Sequence, residues 1–302
     1  DLFQAIFLLA MIFLVPVKAF MSLPGGFSSI LTAAQNSKIS LSLIPDTSVE
    51  TIYTITLLTF GWGLGYFGQP HIITKFMGIK NPDELHKSKY IGLSWMVLVF
   101  IAAMAVGLIG LAYFETPLEE PQLVFIEMVK ELFSPLTGGF VLCGVLSATI
   151  TTMGSQILVC ASVISQDLYA GFFRKSASQK ELLWITRLAV FIVSMTSLGI
   201  ALERSSSVLD AVSYAWSGLG STFGPLVLFG LYSDRINHYG AITGILIGGT
   251  VGIFWPFINP YITVYPMMSM IPGFIMSSLS IYVVSRLTRK TVQMESKNNI
   301  GS

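Results

Sequence analysis

Eight apolar stretches, each long enough to cross a bilayer, occupy most of this 302-residue chain, and its Lys and Arg residues collect in alternate connecting loops. A hydrocarbon core about 30 Å thick needs roughly 20 helical residues to span it. The stretches run over residues 2–20, 51–77, 90–114, 136–169, 182–202, 208–231, 241–258 and 268–287. With 53% hydrophobic and 11% charged residues and a mean hydropathy of +0.72, a soluble domain of this size would lack the charge to cover its surface. The solvent for most of the chain is lipid. In lipid a helix satisfies its own backbone hydrogen bonds, and the stretches lack the ten-residue alternation of a membrane barrel. The expectation is therefore an all-α polytopic membrane protein over 1–287 with a polar cytoplasmic tail over 288–302.

Loop charge sets an orientation. Thirteen of the cations, Lys75, Lys80, Lys87, Lys89, Arg174, Lys175, Lys180, Arg187, Arg235, Arg286, Arg289, Lys290 and Lys297, follow the even-numbered stretches. The opposite loops hold only Lys18, Lys38, Lys130 and Arg204, and one of them is acidic, with Glu115, Glu119, Glu120, Glu127 and Glu131. Positive residues stay inside, which makes both ends of this chain cytoplasmic. The net charge of +1 gives no reason to expect nucleic acid. Cys143 and Cys160 are the two cysteines, both in the fourth stretch, where a helical rise of about 1.5 Å per residue holds them too far apart to pair. They read as buried thiols acting as small hydrophobes.

The second stretch breaks the pattern. Phe60-Gly-Trp-Gly-Leu-Gly-Tyr-Phe-Gly-Gln-Pro70 places four glycines and a proline in the middle and later half of a span. Glycine costs roughly 1 kcal/mol and proline about 3 in a helix interior. A break is expected there, and an interrupted span marks a solute site in a secondary transporter. Trp62 and Tyr66, four residues apart, can wall a compact organic solute, and Gln69 adds an amide. The same glycines and aromatics also serve close helix packing and core filling.

In the fourth stretch Ser147-Ala-Thr-Ile-Thr-Thr-Met-Gly-Ser155 is dense in hydroxyls. Thr151 and Thr152, with the Ala148 carbonyl a turn earlier, offer oxygens to a hard cation such as Na+. Threonines also bond back to their own helix. The sixth stretch carries Tyr214-Ala-Trp-Ser-Gly-Leu-Gly-Ser-Thr-Phe-Gly-Pro225, where a bend is expected and polar atoms accumulate. Asp210, Asp167 and His71 sit at span ends, where charge is cheap, and read as structural or gating residues. Motifs of enzymes, HExxH, GxSxG, a P-loop or paired intramembrane carboxylates, do not occur, so no enzyme is expected.

The chain resembles the sodium/solute symporter family, essentially end to end. The resemblance is carried by Asp1-Leu-Phe-Gln4, Gly61-Trp-Gly-Leu-Gly-Tyr-Phe-Gly-Gln-Pro-His-Ile72, Ser155-Gln-Ile-Leu-Val-Cys-Ala-Ser162, Ala177-Ser-Gln-Lys-Glu-Leu182, Val212-Ser-Tyr-Ala-Trp216 and Phe223-Gly-Pro225. It implies an inverted-repeat transporter core built from two five-helix repeats. This chain would supply the last helix of the first repeat, the second repeat and two peripheral helices, as the C-terminal portion of a longer protein. The family's proline-transporting members are nearest, which implies alternating-access symport of L-proline with Na+ in the plasma (inner) membrane, without a cofactor. Pantothenate, another amino acid or a monocarboxylate is the alternative solute, and a non-transporting sensor or scaffold the alternative role. Residue by residue, the resemblance gives substrate contacts to Trp62, Tyr66, Gln69 and Pro70, Na+ ligands to Ala148, Thr151 and Thr152, and gating or cavity lining to Tyr214, Trp216, Ser217 and Ser221. The family usually places Ser-Thr or Ser-Ser where Thr151-Thr152 stands, and a hydroxyl residue where Gly154 stands.

Overall fold

The computed structural model describes residues 2–42, 44–114, 116–202, 207–263, 265 and 267–289. Glu115, Arg204, Lys290, Lys297 and most of the expected tail lie outside the described residues. Among those described there is helix and no strand. The elements are α1 (Leu2–Ser22), α2 (Phe27–Asn36), α3 (Val49–Gly65), α4 (Pro70–Met77), α5 (Leu85–Tyr113), α6 (Val124–Leu132), α7 (Pro135–Ser162), α8 (Gln179–Leu202), α9 (Val208–Tyr232), α10 (His238–Ile262) and α11 (Met270–Leu287).

Every expected span is helical, and the ends follow local chemistry. Ser48, Ser134, Ser207 and Asn237 each place a side-chain oxygen on a backbone N–H of the first turn, at α3, α7, α9 and α10. Asp210 belongs to such a cap: it accepts from the Ser207 hydroxyl at 2.6 Å, and its amide donates to that oxygen at 3.1 Å. Six helical stretches, at 2–22, 82–113, 135–173, 179–202, 238–262 and 270–287, are long and apolar enough to cross a membrane. The two expected spans outside that group are the second and the sixth, whose motifs combine glycines with a proline. One is divided into α3 and α4; the other, α9, stays helical through Gly218, Gly220, Gly224 and Pro225.

The chain forms two compact units. The first comprises residues 1–45 and 79–198. Within it α1 packs on α5, α6 and α7, and α2 packs on α5. Val15, Ala19, Ile30, Val106, Ile109, Met128, Val129 and Val141 form its core. The short α2 and α6 were not expected. α2 buries Ile30 and Ala34, one turn apart, and α6 buries Met128 and Val129, so both are amphipathic helices too short to span. Beyond Ser162 the α7 helix widens into a π-helix over Val163–Phe173. Its end is tied to α8 through Glu181, whose Oε1 accepts from the Tyr169 hydroxyl at 2.6 Å and from Arg174 at 2.7 Å. Cys143 and Cys160 are exposed on this helix, which corrects the expectation of buried thiols. In a lipid-facing helix a small apolar thiol needs no protein partner.

The second unit comprises residues 46–78 and 199–302. Its centre is a small-residue seam. Gly240, Gly244, Gly248 and Gly252 recur every four residues on α10 and are all buried. A Cβ on Gly248 would strike the Ser221 carbonyl of α9 and the Ser277 side chain of α11. The approach lets hydroxyls cross between helices: Ser277 donates to the Gly244 carbonyl at 2.9 Å and Ser221 to the Gly248 carbonyl at 3.1 Å. Such seams suit a membrane, where helices gain little from burying apolar surface and associate by close packing and interhelical hydrogen bonds.

Candidate functional site

The break in the second expected span is where its residues demand one. α3 ends at Gly65, Tyr66–Gly68 make a single 3₁₀ turn, Gln69 is extended (φ −90°, ψ 108°), and Pro70 opens α4 at its first position. Proline fits a first helical position because it has no N–H to leave unpaired, and it disfavours helical geometry in the residue before it. The freed Gln69 carbonyl accepts from the amides of Ile72 and Ile73 at 3.0 and 3.1 Å.

Trp216 of α9 holds this break together. Its indole N–H donates to the Trp62 carbonyl at 3.2 Å, and its own carbonyl accepts from the Gln69 side-chain amide at 3.2 Å. Its ring lies 5.7 Å from that of Trp62 and 4.9 Å from that of Tyr66, the latter edge-on at 84°. Two glycines make the approach possible. A Cβ on Gly65 would collide with the Trp216 indole, and one on Gly68 would sit 2.5 Å from the Gly220 Cα and 2.7 Å from the Leu219 carbonyl oxygen.

The expected solute contacts therefore separate. Tyr66 is 37% exposed, and Trp62 and Pro70 are half-buried. Gln69 is 2% exposed, and its side-chain amide donates to the Trp216 carbonyl of α9. The residues expected to gate or line a cavity divide likewise. Trp216 is at the break, and Tyr214 reaches the Ile253 carbonyl of α10 at 3.3 Å. Ser217 and Ser221 are 1% and 0% exposed, packed inside the second unit. The Ser217 hydroxyl is buried without a hydrogen-bond partner.

In the first unit the hydroxyls of α7 are partly engaged. Thr152, which is exposed, donates to the carbonyl of the half-buried Ala148 at 3.0 Å, so these two expected ligands lie side by side on the helix. Thr151 points elsewhere. It is half-buried and within hydrogen-bond reach of both the Ser147 carbonyl, at 2.9 Å, and the Gln4 amide oxygen of α1, at 2.8 Å. Gln4 in turn donates to the Ser147 hydroxyl at 2.6 Å. Gln4 was missed as a site neighbour, although a lone amide inside the apolar Leu2–Ser22 helix is a signal for a buried polar partner. Among the described residues no group of three or more His, Cys, Asp and Glu could hold a metal ion. A cleft of about 790 Å³ in this unit, lined by Ser28, Ser29, Thr32 and Asn36 of α2 and by the end of α5, contains none of the expected site residues.

The model of the sodium:solute symporter family matches residues 1–248. The chain belongs to the sodium:solute symporter family. Among curated relatives it is 38% identical over 296 residues to the high-affinity proline transporter PutP of Bacillus subtilis. It is 40% identical over 300 residues to a sodium/proline symporter of Staphylococcus aureus, and 36% identical over 293 residues to the osmoregulated proline transporter OpuE of B. subtilis. These alignments cover 96–97% of this chain and 58–61% of the relatives, so the chain spans about three-fifths of their length. A solved structure described as the substrate-bound outward-open state of a Na+-coupled sialic acid symporter shares the fold. Its TM-score is 0.72 at 14% identity, over 95% of this chain and 61% of that one. The symporter fold is the inverted-repeat, all-α membrane architecture expected from the sequence.

Proposed function

We propose that this symporter-family chain serves Na+-coupled secondary uptake of L-proline by alternating access. The observation that carries the reading is the broken span, with Trp62 and Tyr66 presented beside a helix interruption braced by Trp216. Proline is small, compact and partly apolar, which suits an aromatic wall, and the three proline-transporting relatives support it over the family's other solutes. Na+ is assigned to the Ala148 carbonyl and the Thr152 hydroxyl, with Thr151 contributing once its bond to Gln4 is exchanged. The ion favours an outward-open state in which the solute site is ordered, and solute and ion are then released inward together. One charge crossing about 100 mV supplies roughly 2.3 kcal/mol, enough for about fiftyfold accumulation. On this reading α3 with α4, and α9, are spans like the other six. Both ends of the chain face the cytoplasm, and the membrane is the plasma membrane.

The deciding measurement is initial uptake of labelled proline by cells expressing the gene product, with Na+ or with choline in its place. Saturable, Na+-dependent uptake is expected; uptake indifferent to Na+, or its absence beside uptake of pantothenate or another solute, refutes the assignment. Trp62→Ala and Tyr66→Ala are each expected to raise the half-saturating proline concentration about tenfold at saturating Na+, because an aromatic wall contributes buried area and orientation. Wild-type values in both would remove these rings from the site. Thr152→Ala is expected to raise the Na+ concentration for half-maximal uptake several-fold, and Thr152→Ser far less, since the oxygen survives. Equal Na+ dependence in all three proteins would make the hydroxyl purely structural.

A further inference from the structure

The turn between α9 and α10 and the end of α11 enclose a cleft of about 550 Å³ in the second unit. Arg235 of the turn, Arg286 of α11 and Arg289 just past its C-cap line it, with Asp234 as its carboxylate and Tyr232 and Tyr282 as its aromatic rim. The cleft is built and not incidental. The Asn237 side chain donates to the Ser285 carbonyl at 3.2 Å and to the Thr288 hydroxyl at 2.8 Å, and its backbone N–H donates to the Ser285 hydroxyl at 3.3 Å. That clamp fixes the loop bearing Arg235 against the end of α11, where the other two arginines lie. Arg286 is further oriented by a 3.1 Å bond to the Tyr282 hydroxyl.

The charge in the cleft is unbalanced. The ion pairs found among the described residues are Lys130–Glu127 and Arg174–Glu181, so none of the three guanidiniums is paired with Asp234 or another described carboxylate. Three cations face one anion, and Lys290 follows Arg289 in the sequence. Guanidinium groups match phosphate oxygens in a bidentate fork. Tyrosines at this level, with exposed Leu279 and Val283 on the preceding turns of α11, describe an interface where a headgroup sits above apolar chains.

We propose that this cleft binds the phosphate of an anionic glycerophospholipid of the cytoplasmic leaflet, with Arg235, Arg286 and Arg289 as ligands. The leaflet rests on the orientation proposed above; the binding does not. The lipid holds the end of α11 and the α9–α10 turn together, so occupancy stabilises the second unit.

The test uses the full chain purified in a neutral detergent, titrated with short-chain phosphatidylglycerol, short-chain phosphatidylcholine or inorganic phosphate, with binding read by thermal shift and native mass spectrometry. Phosphatidylglycerol is expected to bind about tenfold or more tighter than phosphatidylcholine. At about fivefold per arginine, Arg286→Ala with Arg289→Ala weakens it about thirtyfold. Arg286→Lys with Arg289→Lys keeps most of the affinity, and Asp234→Asn tightens binding severalfold. Equal affinity for the two lipids overturns the site, as does a folded double-alanine variant with unchanged binding. If that variant does not fold, an Asp234→Asn protein that binds no tighter overturns it. Competition by inorganic phosphate at equal concentration reassigns the cleft to a soluble anion. Orientation is read separately, by labelling Ser233→Cys with an impermeant maleimide in a Cys143→Ser, Cys160→Ser background. Labelling in intact cells refutes the cytoplasmic leaflet while leaving the detergent result standing.

Discussion

Trp216→Ala is expected to abolish measurable proline uptake and to lower the melting temperature of the purified protein by several degrees. The indole does three things at once: it donates to the Trp62 carbonyl, packs on the rings of Trp62 and Tyr66, and lies against Gly65 where no side chain fits. Truncating a packed tryptophan costs about 3–5 kcal/mol through lost burial and the cavity left behind. The Trp62 carbonyl also loses the indole donor, a hydrogen bond worth about 0.5–1.5 kcal/mol net. Because that carbonyl adjoins the break, the expected damage is to the geometry at 62–69 as much as to stability. Trp216→Phe separates the two effects: the ring stays and the N–H goes, so a smaller loss of about tenfold in uptake efficiency is expected. If Trp216→Ala retains wild-type uptake and melting temperature, the indole does not brace the break.

Gly68→Ala is the second large effect. The added methyl would meet backbone on α9, the Gly220 Cα and the carbonyls of Leu219 and Gly220, at 2.5 to 2.9 Å. A side chain in the way can rotate, but a packed backbone has to translate, and overpacking of this kind costs about 1–3 kcal/mol or more. The expected result is loss of uptake by an order of magnitude with reduced thermal stability. Gly63→Ala is the control. It lies earlier, on α3, with nothing within 4 Å of a new Cβ, so it should be neutral or slightly stabilising, by up to about 1 kcal/mol of helix propensity. Equal behaviour of the two variants would show that the α3–α9 approach is not the constraint.

The helices of the long apolar stretches were legible because the rule is local. A run of about 20 apolar residues must be helical in lipid whatever surrounds it, so α1, α5, α8, α10 and α11 were legible, and α7 with its π-helical extension. The interruption at 66–69 was legible for the same kind of reason. Gly65, Gly68 and Pro70 weaken a helix through their own backbones, with no distant partner required. Short amphipathic α2 and α6 escaped because ten and nine residues carry no spanning signal, and their buried faces are defined by α1, α5 and α7.

What each polar atom does was decided elsewhere. Thr151 and Thr152 are adjacent and chemically identical, yet one hydroxyl reaches Gln4, 147 residues away, and the other, on an exposed residue, bonds its own helix. Gln69 offered an amide for a solute and spends it on a carbonyl 147 residues away, and Trp216 is joined to Trp62 across 154. Ser221 is one hydroxyl among several in its motif, and only the glycine seam of α10 shows that it is buried. Local composition therefore determined where this protein is helical, where its helix breaks and which residue types gather there. The tertiary structure alone decided which oxygens remain open to a ligand, because each is satisfied by whichever helix the fold brings within about 3 Å.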